Sequence, residues 1–195
     1  IVVAGSLLFD KKMNKSTNIV PVDSEHNAIY KLLNNINGEN LQSIIITASG
    51  GPFLNKSIED LKHVTLEEAL KHPTWNMGKK ITIDSSALIN KGLELIEATY
   101  LFNIDHKNIK ILVHPQSIVH AMVSMHDGTT ISLMSKADMK IPISDAIFEN
   151  GESPIFGNLR TSDIKNLTFC DLDNDRFPTI NMARDAIDQG MCSII

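Results

Sequence analysis

HPTWNMGKKITIDSSALINKGLELIE, residues 72–97, is the segment around which the rest of the chain is organised. Its first part carries Pro, Gly and the single Trp of the chain, a composition typical of a loop. The β-branched run 81–83 predicts a short strand. Asp84 is then a good N-cap, because its side chain can accept hydrogen bonds from the free N–H groups of a first helical turn. The order of residues therefore predicts a loop, a strand and a long helix.

The predicted helix has an apolar and a polar stripe. Residues that recur at helical spacing on the apolar side are Ile89, Leu93, Ile96 and Tyr100. Residues that share the polar face are Asn90, Lys91 and Glu94. Ser85 and Ser86 are placed in the predicted first turn, where free amides and the helix dipole favour an anion such as phosphate. On the helical pattern alone, Lys91 and Glu94 are expected to form an ordinary solvated pair.

Composition restricts the classes of protein. With 195 residues and 43% hydrophobic content, the chain can form a real core, either as one domain plus a remnant or as two small domains. A formal net charge of −5 argues against a nucleic-acid surface. No apolar run approaches the roughly 18 residues that span a bilayer, so no membrane association is expected. Two cysteines fit a reducing cytosol better than a disulfide framework.

Elsewhere, hydrophobic periodicity predicts further elements. Strands are predicted at 19–22, 43–47, 109–113, 119–125 and 130–133, the last two joined by a hairpin turn at Asp127-Gly128. Helices are predicted after Asp23-Ser24, at 65–71 with Thr65 as cap, at 138–148, and from Ile180 to Gly190. The stretch 149–175 has scattered Gly and Pro and no clear period, which indicates a linker.

Three separated acidic residues suggest a metal site: Asp23, Glu25 and Glu94. A few carboxylates hold hard divalent ions such as Mg²⁺ or Mn²⁺ while leaving positions for substrate oxygens. Small polar donors suited to a phosphorylated polyol accompany them: Ser49, His72, Ser85, Asn90 and Lys91. The residues alone thus favour a carboxylate metal site acting on a phosphosugar-like substrate. Simple capping remains an alternative for Asp23 and Ser24, and a structural histidine for His120.

Five motifs, in order, carry a more specific resemblance. They are VDSEHNAIY at 22–30, SGGPF at 49–53, residues 72–98, HPQSIVHAMV at 114–123 and ADMKIPI at 137–143. Together they resemble the 1-deoxy-D-xylulose 5-phosphate reductoisomerase family. That family converts 1-deoxy-D-xylulose 5-phosphate to 2-C-methyl-D-erythritol 4-phosphate in non-mevalonate isoprenoid biosynthesis, uses NADPH and Mn²⁺ or Mg²⁺, and is inhibited by fosmidomycin.

The resemblance also implies an architecture. It suggests an α+β fold, with a mixed β-sheet and helices packed mainly on one face. Residues 1–148 would form the central catalytic domain, 149–175 the linker and 176–195 the start of a C-terminal helical domain. The NADPH-binding domain would precede Ile1. The family resemblance further implies a homodimer, in the cytoplasm or in a plastid-type organelle.

Residue roles follow from the matching motifs. The metal ligands implied are Asp23, Glu25 and Glu94. The substrate contacts implied are Ser24, Glu25, Ser49, His72, Trp75, Met77, Ser85, Asn90, Lys91 and Glu94. Gly78 and Met139 would approach the nicotinamide. The catalytic groups implied are Glu25, Glu94, Lys91 and His120, and Trp75 and Met77 would belong to a loop that closes over the substrate.

Two other functions stay open at this point. The same carboxylates could serve a stand-alone metal-dependent phosphohydrolase, or the chain could be a non-catalytic dimerisation module. If the cofactor domain is absent, the isolated chain is expected to bind Mn²⁺ or Mg²⁺ weakly and to show little reductoisomerase turnover.

Overall fold

The fold is taken from a computed structural model, which describes residues 1–9, 17–36, 40–148 and 156–190. Its five strands are β1 (Leu41–Ala48), β2 (Ile109–Val113), β3 (Val119–Met125), β4 (Thr130–Met134) and β5 (Cys170–Asp171). Its helices are α1 (Gly5–Leu8), α2 (Ser24–Asn34), α3 (Ile58–Leu61), α4 (Leu66–Ala69), α5 (Lys79–Ser86), α6 (Ile89–Phe102), α7 (Lys140–Ile147) and α8 (Thr179–Gln189). Within this part of the chain, no helix is both long and apolar enough to cross a bilayer.

The strands form one sheet in the order β4-β3-β1-β2-β5. The β1–β2 pair is parallel, and the other three pairs are antiparallel. The sheet is therefore mixed, which confirms the predicted α+β class. A parallel pair needs a long crossover connection, and here residues 49–108 supply it, including α3 to α6.

The hydrophobic core lies between one face of the sheet and three helices. Ile44 and Ile46 of β1 are fully buried and point to the same face, because alternate residues of a strand share a side. Against this face pack α2, α6 and α8, which contribute Ile29, Leu95 and Ile180 to the same cluster. The prediction that helices cover mainly one face is confirmed.

The segment 79–86 corrects the sequence analysis. The predicted strand at 81–83 is part of α5, and Asp84 lies inside that helix, where it pairs with Lys80 at 2.6 Å, rather than capping a helix start. Gly78 is the N-cap residue, and the Thr82 hydroxyl donates to its carbonyl. The long helix begins only at Ile89, and the preceding Leu88 is buried in a left-handed conformation. In α5 only Thr82 and Ser86 are buried, and Ile81 and Ile83 are each 39% exposed, so the strand preference of these β-branched residues is overridden without burial of the isoleucines.

Other predicted elements compare as follows. The strand predicted at 19–22 is wrong, since that stretch has no regular structure. The helices after Asp23, at 65–71 and from Ile180 are confirmed, with a capping box at Thr65 and Gly190 at the last C-cap. The predicted linker contains β5, which extends the sheet. Its first residues, 149–155, lie outside the described part of the chain, and the division into domains stays a prediction.

Leu95 tests the packing of α6 on the sheet. Because this side chain is 0% exposed, Leu95→Ala should lower the free energy of unfolding by about 2–5 kcal/mol through lost burial and a residual cavity. Leu66→Ala is the control, at a leucine that is 66% exposed, and should change it by less than about 0.5 kcal/mol. Urea denaturation followed by circular dichroism measures both. Equal effects of the two substitutions would contradict the described core.

Candidate active site

A cleft of about 310 Å³ lies where β1 ends. It is bounded by the first turn of α2, the loop after β1, the loop 72–78, the end of α5 and the start of α6. Twelve predicted site residues line it: Asp23, Ser24, Glu25, Ser49, His72, Trp75, Met77, Ser85, Asn90, Lys91, Glu94 and Met139. The structure therefore brings nearly the whole predicted set into one concave surface.

A buried ion-pair cluster forms one wall of the cleft. Lys91 Nζ donates to Glu25 Oε1 at 3.0 Å and to Glu94 Oε2 at 2.6 Å. Asn90 donates to the other Glu94 oxygen at 2.6 Å. Lys91 is 5% exposed and Glu94 2%. The solvated pair expected from the helical pattern alone is therefore wrong, because this face of α6 packs against α2.

The cluster perturbs the acidities of its members. Burial raises the pKa of Glu94 well above its ordinary value, and the nearby charge of Asp23 raises it further. Burial would also raise the pKa of Glu25, but the charges of Lys91 and His120 and the hydrogen bonds from Ser24 and Lys91 together outweigh it and lower that pKa to about 2. Although burial disfavours its charge, the pKa of Lys91 is raised by Glu25 and Glu94. Unequal environments thus give two buried carboxyl groups opposite shifts.

Asp23 is held at the mouth of the same cluster. As N-cap of α2, its carboxylate accepts from the backbone N–H groups of Glu25 and His26, both at 3.1 Å. One potential ligand atom from each of Asp23, His26 and Glu94 lies within 4.8 Å of the others. Oxygen donors of this kind, with an imidazole, fit Mg²⁺ or Mn²⁺. Glu25, the third predicted ligand, instead contacts Lys91.

His26 was missed by the sequence analysis. Its Nε2 lies 2.9 Å from the main-chain carbonyl of Glu94, and its Nδ1 lies 3.6 Å from Asp23 and 3.7 Å from Glu97. The imidazole therefore links the start of α2 to the middle of α6. The available signal was its position three residues after Asp23, which places it over the same helical turn.

Ser49 and His72 form a second polar group across the cleft. His72 Nδ1 accepts hydrogen bonds from the backbone N–H groups of Thr74 and Trp75, so the ring proton belongs on Nε2. Nε2 then donates to Ser49 Oγ, 2.9 Å away, and burial lowers the pKa of His72, which favours this neutral form. Gly51 N–H also donates to Ser49 Oγ. The Ser49 hydroxyl keeps its own proton to donate to a ligand.

The predicted anion-binding helix start needs correction. Ser85 lines the cleft, but it lies in the last turn of α5, where the helix dipole favours cations instead. The positive helix end is that of α6, whose N-cap Leu88 offers no side-chain cap. Asn90 and Lys91 lie in its first turn. The amides that suit an anion therefore belong to α6, about one turn further along the chain than predicted.

Two predicted residues do not line the cleft. Gly78 follows the lining residue Met77 and begins α5. His120 lies behind the loop, with its ring centre 6.2 Å from that of Trp75, and burial lowers its pKa. Its Nε2 is buried without a hydrogen-bond partner in the described part of the chain. Trp75 is half-buried, so it closes one side of the cleft rather than forming part of the core.

A deep carboxylate cluster beside polar donors for an anion is typical of metal-dependent enzymes that act on phosphorylated substrates. Comparison with known proteins narrows this class. Residues 19–102 match the model of the 1-deoxy-D-xylulose 5-phosphate reductoisomerase C-terminal domain, and residues 134–195 match a DXP reductoisomerase C-terminal domain model. The chain belongs to the 1-deoxy-D-xylulose 5-phosphate reductoisomerase family.

Curated relatives and solved structures agree. The reductoisomerase of Clostridium botulinum (strain Okra / Type B1) is 49% identical over 97% of this chain and 50% of its own length. That of Sulfurihydrogenibium sp. (strain YO3AOP1) is 49% identical over 94% of this chain and 48% of its own. The chain therefore spans about half the length of these relatives.

Two solved structures illustrate the structural similarity. The Zymomonas mobilis reductoisomerase in complex with NADPH superposes with a TM-score of 0.87, at 39% identity, over 97% of this chain and 49% of that one. A DOX-P reductoisomerase in complex with NADPH, fosmidomycin and magnesium gives 0.88, at 37% identity and the same coverage.

Lys91 tests the electrostatics of the cluster. In the presence of EDTA at neutral pH, Lys91→Met should lower the free energy of unfolding by about 3–5 kcal/mol, because it leaves buried carboxylates without their cation. A carboxyl group whose pKa is raised by folding destabilises the folded protein at pH values above that raised pKa, where the group is ionised. This destabilisation decreases as the pH falls towards the pKa of the same group in the unfolded chain. The loss in free energy of unfolding caused by Lys91→Met should therefore become smaller as the pH is lowered and Glu94 is protonated.

Urea denaturation at neutral and mildly acidic pH measures this effect. Lys71→Met is the matched control, since Lys71 forms an exposed pair with Glu67 and should matter little at either pH. A deficit in Lys91→Met that grows on acidification would contradict the assigned direction of the Glu94 pKa.

Proposed function

We propose that this chain forms the metal- and substrate-binding part of a 1-deoxy-D-xylulose 5-phosphate reductoisomerase. The reaction is rearrangement of the phosphosugar carbon skeleton to an aldehyde, followed by reduction with NADPH. The observation that carries the proposal is a single cleft lined by both the acidic cluster and the Ser49–His72 pair. Membership of the family supports the reductoisomerase over a phosphohydrolase or a purely structural module.

The acidic wall would hold the metal. We assign Asp23, Glu25 and Glu94 as ligands for Mn²⁺ or Mg²⁺. Their oxygen donors suit these ions. Burial, and after it the charge of a neighbouring carboxylate, raises the pKa of Asp23 and of Glu94, and a bound cation would offset both effects. When bound, such an ion polarises the substrate ketone and stabilises developing negative charge on oxygen. Lys91, as a permanent cation beside Glu25, would stabilise the same charge.

Other residues that line the cleft would bind the substrate phosphate. Ser49 has a hydroxyl proton free to donate, and His72 fixes its orientation. Ser85 adds a second hydroxyl, and Asn90 stands at the uncapped start of α6, whose dipole favours an anion. Phosphate binding at a distance from the reacting carbons supplies energy that can be used for orientation. Ser24, in the first turn of α2, would complete the substrate contacts.

The loop and its neighbours would separate the reaction from water. Trp75 and Met77 line the cleft on the side of the loop 72–78, and Trp75 rests edge-on against His120. Closure of such a loop prevents loss of a reactive aldehyde. Met139, at the start of α7, lines the same opening, and with Gly78 it would approach the nicotinamide ring. His120 would act through Trp75 or reach the substrate when the loop moves.

We further propose a homodimer in the cytoplasm. Both follow from the family resemblance. The edge strand β4 exposes Ile131 and Met134, apolar side chains that a second subunit could cover. Light scattering on the purified protein measures the mass directly.

Glu94 provides the test of the metal site. In the natural polypeptide that carries this sequence, Glu94→Gln should weaken Mn²⁺ binding by more than about tenfold and abolish most NADPH-dependent turnover, because it removes a ligand charge. Titration calorimetry and NADPH absorbance give the two values. Glu67→Gln is the control, at a side chain that is 81% exposed. Normal Mn²⁺ binding and turnover in Glu94→Gln would disprove the assignment.

A further inference from the structure

Arg176 reaches from the turn before α8 back to the loop that follows β1. Its Nη2 donates to the main-chain carbonyls of Phe53, at 2.9 Å, and Leu54, at 2.6 Å. Its guanidinium carbon lies 5.2 Å from the centre of the Phe177 ring. This contact joins parts of the chain that are more than 120 residues apart in sequence.

The environment of Arg176 shows that its main contact is not an ion pair. The side chain is 19% exposed, and Asp173, the nearby carboxylate, lies 3.9 Å from Nε. Nε has no hydrogen-bond partner in the described part of the chain. Burying a guanidinium against carbonyls costs solvation energy. The main effect of the contact is therefore that the planar group fixes the positions of the two carbonyls.

The loop 49–54 has little freedom between its ends. Gly50 and Gly51 both have positive φ, +86° and +66°. A Cβ on Gly50 would lie 2.8 Å from Leu54 Cδ1, so the Leu54 side chain packs directly on this glycine. A Cβ on Gly51 would lie 2.7 Å from the Ser85 carbonyl oxygen. Displacement of Leu54 would therefore move the glycines and, with them, Ser49.

We infer that Arg176 is a positioning residue for the phosphate-binding side of the cleft. By holding the Phe53 and Leu54 carbonyls, it fixes the loop 49–54 so that the Ser49 hydroxyl faces the ligand beside Ser85. The inference rests on the proposed function, in which Ser49 contacts the substrate phosphate. It assigns a role in substrate affinity to a residue that does not line the cleft.

The test uses the natural polypeptide that carries this sequence, with saturating Mn²⁺. Arg176→Met should raise KM for 1-deoxy-D-xylulose 5-phosphate and the Kd of fosmidomycin about tenfold, with kcat changed less than about twofold. Mn²⁺ affinity should be unchanged, because Arg176 contacts Phe53, Leu54 and Phe177 rather than the proposed metal ligands. Arg160→Met is the control, since Arg160 pairs with Asp163 at an exposed site and should alter none of these values.

A double-mutant cycle separates positioning from general destabilisation. If Arg176 acts through Ser49, Ser49→Ala combined with Arg176→Met should weaken fosmidomycin binding little more than Ser49→Ala alone. Arg176→Lys, which keeps the charge but not the planar fork, should show an intermediate loss and provides the measurement if Arg176→Met does not fold. Additive losses, or an unchanged Kd in the Arg176 variants, would overturn the inference.

The wild-type protein distinguishes this inference from the proposal on which it rests. Failure of the wild type to bind fosmidomycin with Mn²⁺ would contradict the proposed function as well. Tight wild-type binding that Arg176→Lys and Arg176→Met leave unchanged would contradict the inference alone.

Discussion

A buried ammonium group determines how the two site-bearing helices meet. Lys91 Nζ lies between Glu25 of α2 and Glu94 of α6, and all three are withdrawn from solvent. Without a cation between them, carboxylates this close would repel one another in a medium that screens poorly. The packing of α2 against α6, and so the depth of the cleft, depends on this charge balance. The proposed metal would add positive charge to a cluster in which Lys91 already pairs with two carboxylates.

Much of the fold could be predicted from periodicity, because the core strands are short, apolar and separated by clear turns. β1 contains a continuous apolar run at 44–46, the apolar residues of β3 are interrupted only by His120 and Ser124, and the Asp127-Gly128 turn defines the hairpin. The failure came at 79–86, where β-branched residues form a helix. Ile81 and Ile83 are exposed in α5, which packs mainly on the neighbouring helix α6, so their local strand preference was a poor guide to this segment. Leu88 lies between α5 and α6 in a left-handed conformation. Leucine rarely adopts this conformation, so the sequence does not indicate that one helix ends and the next begins there.

The site was predictable only in part, for a related reason. Residue types showed which chemistry was possible, but the helical pattern of α6 made Lys91 and Glu94 look solvated. Their burial depends on α2, which lies some 60 residues earlier in the chain. The motif resemblance selected residues that the structure brings into one cleft. The resemblance did not point to His26, although its position three residues after Asp23 was a signal, nor to Arg176, whose hydrogen bonds are with main-chain carbonyls.

The crossover between β1 and β2 has a consequence for the order of folding. Residues 49–108 contain Ser49, His72, Lys91 and Glu94, so most of the cleft is built from one long closed loop. Bringing the ends of such a loop together costs conformational entropy. The parallel pair joins residues that are far apart in sequence, and such contacts form slowly during folding. Most of the cleft therefore lies within the segment that the pairing of β1 with β2 closes. A ligand that bridges both walls would slow reopening of that loop, giving the occupied protein a longer native lifetime.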